Sequence, residues 1–321
     1  MGNIETKARL NLPSYPEGFT KDGRSSIWKL YKDFEKLSNV FGWIKEPPIY
    51  VQKLETRTGP FEFPIEVFRT SIRGPAFWVF AGIHGEEPAG PNAIASNIEV
   101  LGDLGRKIPM VVFPLCNPSG YWRNWRYPNE DRDKDKRSRE CSVGDSDWLL
   151  PDLNSSVPKS RKPNCDSSES CCLILRVLEL SSDYPPLISF DHHEDECHKK
   201  APYIYSQGKL GIGDPIAQKV VEILKELGLP VEKGGKDEEG RDIIDGIVDF
   251  KNDGSVDELM GSNKIVFGGR FWEKNSAESV VVVETPIIRI PLERRIRAHA
   301  RIIQAYPEFW QMIRKQELMG F

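Results

Sequence analysis

The sequence predicts an α/β fold with a mixed, mostly parallel central sheet and helices on both faces. Three observations carry that prediction. Short runs at 76–83 (AFWVFAGI), 109–115 (PMVVFPL) and 279–284 (SVVVVE) are apolar almost throughout, as strands buried on both faces must be. Segments with helical spacing fall between them, and strands that alternate with helices build a layered sheet. Neither an internal repeat nor a linker divides the chain. Residues 1–321 are therefore expected to form one domain, with a long irregular insertion at about 121–170.

In chain order, 26–40 is a helix, because Ile27, Leu30, Tyr31, Phe34 and Leu37 share one face. Strands are expected at 49–55 and 64–70, joined by a turn over Thr56–Pro60 with its Gly-Pro step. The buried strand 76–83 ends at His84-Gly85, and Ala89–Leu101 follows as a helix. The strand 109–115 ends at Asn117-Pro118-Ser119-Gly120. Residues 121–170 are dense in Arg, Lys, Asp, Ser and Pro with almost no periodicity, and read as insertion. A helix at 171–180 leads to a strand at 187–191 (LISFD), and Tyr203-Ile204-Tyr205 forms another. Helix 214–228 carries Ile216, Val220, Ile223, Leu224 and Leu227 on one stripe. The runs 232–242 and Asp253–Asp257 read as exposed loop and solvated turn, with substrate contact by Asp253 or Asp257 the alternative for the turn. The last helix spans Leu292 to Lys315 and is interrupted or restarted at Pro307.

Composition narrows the function. A net charge of -4 over 321 residues offers no basic field for nucleic acid. No apolar run approaches the ~20 residues that span a bilayer. The leading MGNIETKARLNLPSYPEGF lacks the apolar centre of a secretory signal, so a cytoplasmic location is expected. Six cysteines without Cys-x-x-Cys spacing read as reduced thiols, the alternative being a disulfide in the Cys141 and Cys165 region.

Three of the buried strands end in groups that bind metals or move protons. The first ends in His84-Gly85-Glu86-Glu87, where a His and a Glu three residues apart can turn toward one point. Imidazole nitrogen and carboxylate oxygen suit Zn²⁺, and a hydrolytic zinc keeps three protein ligands and a water. The second ends in Asp191-His192-His193-Glu194-Asp195-Glu196 and the third in Glu284-Thr285-Pro286. Reaction groups in open α/β sheets gather beyond the carboxyl ends of strands. The convergence of three such ends marks the candidate site.

In this order the motifs resemble those of the zinc carboxypeptidases, the M14 metallopeptidases in the broad sense. Their signature is His-x-x-Glu, Asn-Pro-Asp-Gly, an Arg, Asp-x-Asn-Arg, Asp-x-His and a late Glu-Thr-Pro. Here stand His84–Glu87, Asn117–Gly120, Arg126, Asp152-Leu153-Asn154, Asp191-His192-His193 and Glu284-Thr285-Pro286, covering about residues 76 to 290. The resemblance implies a zinc carboxypeptidase-like fold and one Zn²⁺ per chain held by His84, Glu87 and His193, with His192 the alternative third ligand. It implies cleavage of a peptide or amide bond by a zinc-activated water, with Glu284 as general base. Arg126 would stabilise the developing oxyanion, Arg132 being the alternative, and Asn154 would bind substrate.

One departure bears on the substrate. Where carboxypeptidases follow that Asn with Arg, this chain has Ser155, which lacks a guanidinium fork for a terminal carboxylate. An amidase or endopeptidase acting on a peptide or amide small molecule is therefore expected. A deacylase of a small N-acyl amino acid and a non-catalytic binding protein on the same scaffold are the alternatives.

Overall fold

The computed structural model describes residues 18–56, 59–128, 143, 168–195, 201–237, 240–249, 255–268 and 270–319. The chain enters through helices α1 (Ile27–Phe34) and α2 (Lys36–Asn39), then strands β1 (Ile44–Lys45), β2 (Tyr50–Thr56), β3 (Gly59–Ile65) and β4 (Phe68–Arg69). Strand β5 (Ala76–Ala81) leads into α3 (Ala89–Ser96) and α4 (Ile98–Gly105). After β6 (Met110–Phe113) come α5 (Pro118–Arg123), α6 (Ser168–Leu180), β7 (Pro186–Asp195) and β8 (Tyr203–Ser206). Then follow α7 (Pro215–Glu226), β9 (Ile247–Asp249), α8 (Val256–Gly261), the hairpin β10 (Lys264–Phe267) and β11 (Arg270–Glu273), β12 (Ser279–Pro286), α9 (Leu292–Gln304) and α10 (Tyr306–Met319).

Eight strands form one mixed sheet in the order β1-β4-β6-β5-β7-β12-β8-β9. The pairs β5–β6, β5–β7, β7–β12 and β8–β9 are parallel, and the others antiparallel. Side chains alternate across a strand, and each face of the sheet builds its own core. Phe77, Val79, Met110, Val112, Phe190, Val281 and Val283 pack into one core that also holds residues of α1, α3, α4, α7, α9 and α10. Trp78, Phe80, Val111, Phe113 and Val280 point the other way, into a core with residues of α6 and α8. Local chemistry fixes several helix ends. Asp214 caps α7 by accepting from the Ile216 amide at 2.8 Å, with Pro215 in the first turn. The same carboxylate accepts from Ser279 Oγ at 2.6 Å and so ties α7 to the start of β12.

The structure corrects several sequence expectations. The segment 64–70 is not one strand: its start closes a hairpin with β2, and Phe68–Arg69 joins the main sheet. Pro60 and Pro64 are tolerated there because β2 and β3 form a two-stranded ribbon, where a missing amide donor costs no second ladder. The helix at 89–101 divides at Asn97, whose side-chain amide bonds the Ala93 carbonyl at 2.8 Å and competes with the helix ladder. Helix α5 occupies the start of the expected insertion and α6 its end, while 129–142 and 144–167 lie outside the described residues. Strand β7 runs on to Asp195, beyond the expected end at Asp191. Within the expected turn at 253–257, Val256 and Asp257 begin α8, and Asp257 is buried rather than solvated.

Helix α3 approaches β7 closely enough that only glycine fits at position 90. A Cβ there would lie 2.6 Å from His192 Cβ and 2.9 Å from its carbonyl oxygen. Gly90→Ala is expected to cost ~1–3 kcal/mol through overpacking. Gly213→Ala, with nothing within 4 Å, should stay within about 0.5 kcal/mol of wild type. Urea denaturation of both variants tests this, and equal midpoints would contradict the close approach.

Candidate metal centre

Strand β5 delivers the chain to the loop that carries His84 and Glu87. That loop is fastened from several sides. Gly85 packs so tightly on α5 that a Cβ would sit 2.0 Å from the Gly120 carbonyl carbon. Its amide donates to the Arg126 carbonyl at 3.2 Å, and its own carbonyl accepts from Arg24 Nη1 at 3.0 Å. Asn117 caps α5 by accepting from the Gly120 amide at 3.0 Å, and its Nδ2 donates to the Arg126 carbonyl at 3.0 Å. The Asn117–Gly120 motif thus sets the path of both the His84 loop and the Arg126 segment.

His84, Glu87 and His193 come together as one buried group whose ligand atoms all lie within 4.8 Å of one another. His84 Nδ1 is 2.6 Å from Glu87 Oε1, and His193 Nδ1 is 3.0 Å from Glu87 Oε2. The two imidazole rings meet edge to face with centroids 4.9 Å apart. Arg126 Nη1 donates to Glu87 Oε1 at 2.9 Å and to Glu86 Oε1 at 3.3 Å. The Glu194 amide donates to Glu87 Oε2 at 3.0 Å. Behind the group, His193 Nε2 lies 3.1 Å from Asp191 Oδ2. A carboxylate on the far nitrogen fixes the ring orientation of a metal-binding histidine. Asp191, His193 and Asp257 form a second cluster of buried ligand atoms on that side.

Strand pairing brings Glu284 alongside. Glu284 and His193 are Cα partners in the parallel β12–β7 ladder, and period-2 alternation sets both on the face opposite Val283 and Phe190. Tyr203 is the partner of Glu284 on the other neighbour, β8. Tyr205, also on β8, donates to Asp237 Oδ2 at 3.1 Å and accepts from Arg241 Nη2 at 3.2 Å. His192 stands apart from the group: it faces the opposite side of β7, bonded to His299 and Tyr306. Arg132 and Asn154, with Ser155, lie outside the described residues.

Burial and charge divide the protons. Burial, then the Arg126 cation, lowers His84 to about 3, so it is neutral. Burial opposes charge on His193 as well, but Asp191 and Glu87 together raise it well above its ordinary value. Burial would raise Glu87, yet His84 and His193 pull it well below the usual carboxylate range. Glu284 is raised well above that range by burial, with the charges of Glu87 and Asp195 adding. Two carboxylates join the group from behind: Asp191 against His193 Nε2, and Asp257 clustered with both. Asp191 stood in the Asp-x-His register, whereas nothing in the local sequence separates Asp257 from a surface turn.

Fold and site together define a carboxypeptidase-like α/β chain with a buried His-Glu-His group able to hold a metal ion. No protein-family model matches the chain, and no curated protein matches it in sequence. Solved structures do share its fold. A protein from Shewanella baltica OS155, provisionally named a metallopeptidase, aligns over 94% of this chain and 98% of its own with a TM-score of 0.66 and 17% identity. Bovine thrombin-activatable fibrinolysis inhibitor, solved with tick carboxypeptidase inhibitor, aligns over 92% and 99% with a TM-score of 0.58 and 13% identity. A metallo-carboxypeptidase from Burkholderia cenocepacia aligns over 90% and 70% with a TM-score of 0.53 and 12% identity.

The proton inventory has a measurable consequence. Metal ligation at the two Nδ1 atoms requires their lone pairs. Neutral His84 can move its proton to Nε2, whereas charged His193 must lose one. Zinc binding should release protons below the raised His193 pKa, and apparent affinity should climb with pH until that pKa is passed. Calorimetry in buffers of different ionisation enthalpy measures this. Binding with no proton release at pH 7 would contradict the assignment of charge to His193.

Proposed function

We propose that the chain is a zinc-dependent hydrolase of a peptide or amide bond, with His84, Glu87 and His193 holding one Zn²⁺ and Glu284 serving as general base. One observation carries the reading: two imidazole Nδ1 atoms from separate segments converge on a single carboxylate, with a second carboxylate in register beside one of them. Two nitrogens and a carboxylate are the donor set of a catalytic zinc that keeps an open position. The donors are buried and fit the ion. When bound there, zinc would supply Lewis-acid polarisation of a carbonyl and a lowered pKa for water.

The chain's own residues account for the remaining chemistry. Glu284 is half-buried, and its raised pKa suits a group that accepts a proton at a carboxylate oxygen and returns it to a leaving nitrogen. Arg126 is held against Glu87 and Glu86 while its Nε, buried, has no hydrogen-bond partner among the described residues. A cation with a spare donor beside the reacting carbonyl suits stabilisation of negative charge on oxygen. Asp191 keeps His193 in the ring orientation that presents Nδ1. Ser155, in place of the arginine of carboxypeptidases, favours amides and internal peptide bonds over a free terminal carboxylate. The peptidase names borne by solved structures of the same fold agree with this class of reaction.

The test has two parts. Metal analysis should find about one zinc per chain in wild type and little in His84→Ala, since a catalytic site needs all three ligands. Glu284→Gln should retain zinc but lose ~10²–10⁴ in turnover on the best substrate from a panel of blocked peptides, free peptides and N-acyl amino acids. A wild-type protein that takes up no zinc on reconstitution would overturn the proposal. Preference for N-acyl amino acids would replace the peptidase reading with deacylation.

A further inference from the structure

Strand β7 is buried along both faces, and the face away from the metal group carries its own polar construction. His192 and Glu194, which flank the ligand His193, both turn toward α9. Glu194 forms a buried ion pair with Arg295, and its other oxygen accepts from the Ala89 amide at 2.6 Å, at the start of the helix that follows His84 and Glu87. One helical turn beyond Arg295, His299 Nδ1 lies 2.8 Å from His192 Nδ1. His192 Nε2 meets Tyr306 Oη at 2.6 Å, and His299 Nε2 meets Thr285 Oγ1 at 3.0 Å. Thr285 is the chain neighbour of Glu284.

The result is an unbroken chain of four side chains, Tyr306–His192–His299–Thr285, each at most 1% exposed. An Nδ1···Nδ1 contact requires one nitrogen to carry hydrogen and the other a lone pair. A doubly protonated ring at either position would set two N–H groups against each other. Donation can run through the chain in either direction, and in each every ring nitrogen and hydroxyl oxygen of the four side chains has a partner. A buried network of this kind is specific in geometry.

We propose that Arg295 and His299 are positioning residues for the metal centre: from the rear of the sheet they grip both neighbours of His193, and His299 also grips the neighbour of Glu284, fixing the third ligand and the base relative to one another. The inference rests on the reading of His84, Glu87 and His193 as the metal centre. It explains why two histidines and an ion pair occupy a core position where aliphatic side chains would avoid the cost of burying polar groups.

Substitutions at His299 separate the two grips. The Asn side chain reaches only the Nδ1 position and keeps the bond to His192; Gln reaches the Nε2 position and keeps the bond to Thr285; Leu keeps neither. Zinc affinity, measured by competition with a chromophoric chelator, should fall ~10–100-fold in His299→Gln and His299→Leu and stay near wild type in His299→Asn. Thermal midpoints measured alongside should not follow that order. Equal affinity in all variants, or losses that track the midpoints, would overturn the inference. Should these variants fail to fold, Tyr306→Phe removes one hydroxyl from the other end of the chain. Weaker zinc binding at an unchanged midpoint supports the proposal, and unchanged binding refutes it. Absence of zinc in the wild type would instead remove the metal-centre reading and this inference with it.

Discussion

A carboxylate 1% exposed must have its charge and lone pairs satisfied by the protein, and Glu87 meets that requirement through four donors. His84 Nδ1 and Arg126 Nη1 converge on one oxygen, and His193 Nδ1 and the Glu194 amide on the other. Those donors come from the loop after β5, the segment after α5, and β7. The pairing of Glu87 therefore draws three stretches of chain, far apart in sequence, to one point at the carboxyl end of the sheet. Much of the surrounding architecture holds those stretches at the right distance: Gly85 against Gly120, Asn117 on the Arg126 carbonyl, and Arg24 on the Gly85 carbonyl.

The sheet divides labour between its faces. Along β7, residues 191 and 193 face the His84–Glu87–His193 group while 190, 192 and 194 belong to the opposite core. Along β12, Glu284 pairs with His193 while Thr285 bonds to His299 behind the sheet. A shift of one residue in either strand would exchange His193 for His192 and Glu284 for Thr285 on the face of the His84–Glu87–His193 group. Precise register is therefore a condition of the site, and polar contacts on the rear face are a means of enforcing it where valine and phenylalanine alone would tolerate slippage.

The apolar runs that became β5, β6 and β12 were legible because double-sided burial leaves no polar position, and His84, Glu87 and Glu284 stood out as candidates because they follow or close such runs. The choice between His192 and His193 was not settled by pattern. All ten residues of β7 are buried, so no polar-apolar alternation tells which face carries the site. Strands β1 and β4, two residues each, are too short to show a period. Asp257 looked like a turn residue because acidic side chains are rarely buried; only the fold shows that it faces His193 and Asp191. Arg295 and His299 lie one turn apart on a helix rich in arginine, where nothing local distinguishes a buried polar face from a solvated one.

His84, Glu87 and His193 are proposed to form one coordination sphere. X-ray absorption at the zinc edge of the reconstituted protein tests it most directly. The account predicts two imidazole nitrogens at ~2.0–2.1 Å and carboxylate and water oxygen at ~2.0–2.2 Å, with no sulfur. Sulfur in the first shell, or a single imidazole, would contradict it and move the metal away from Glu87.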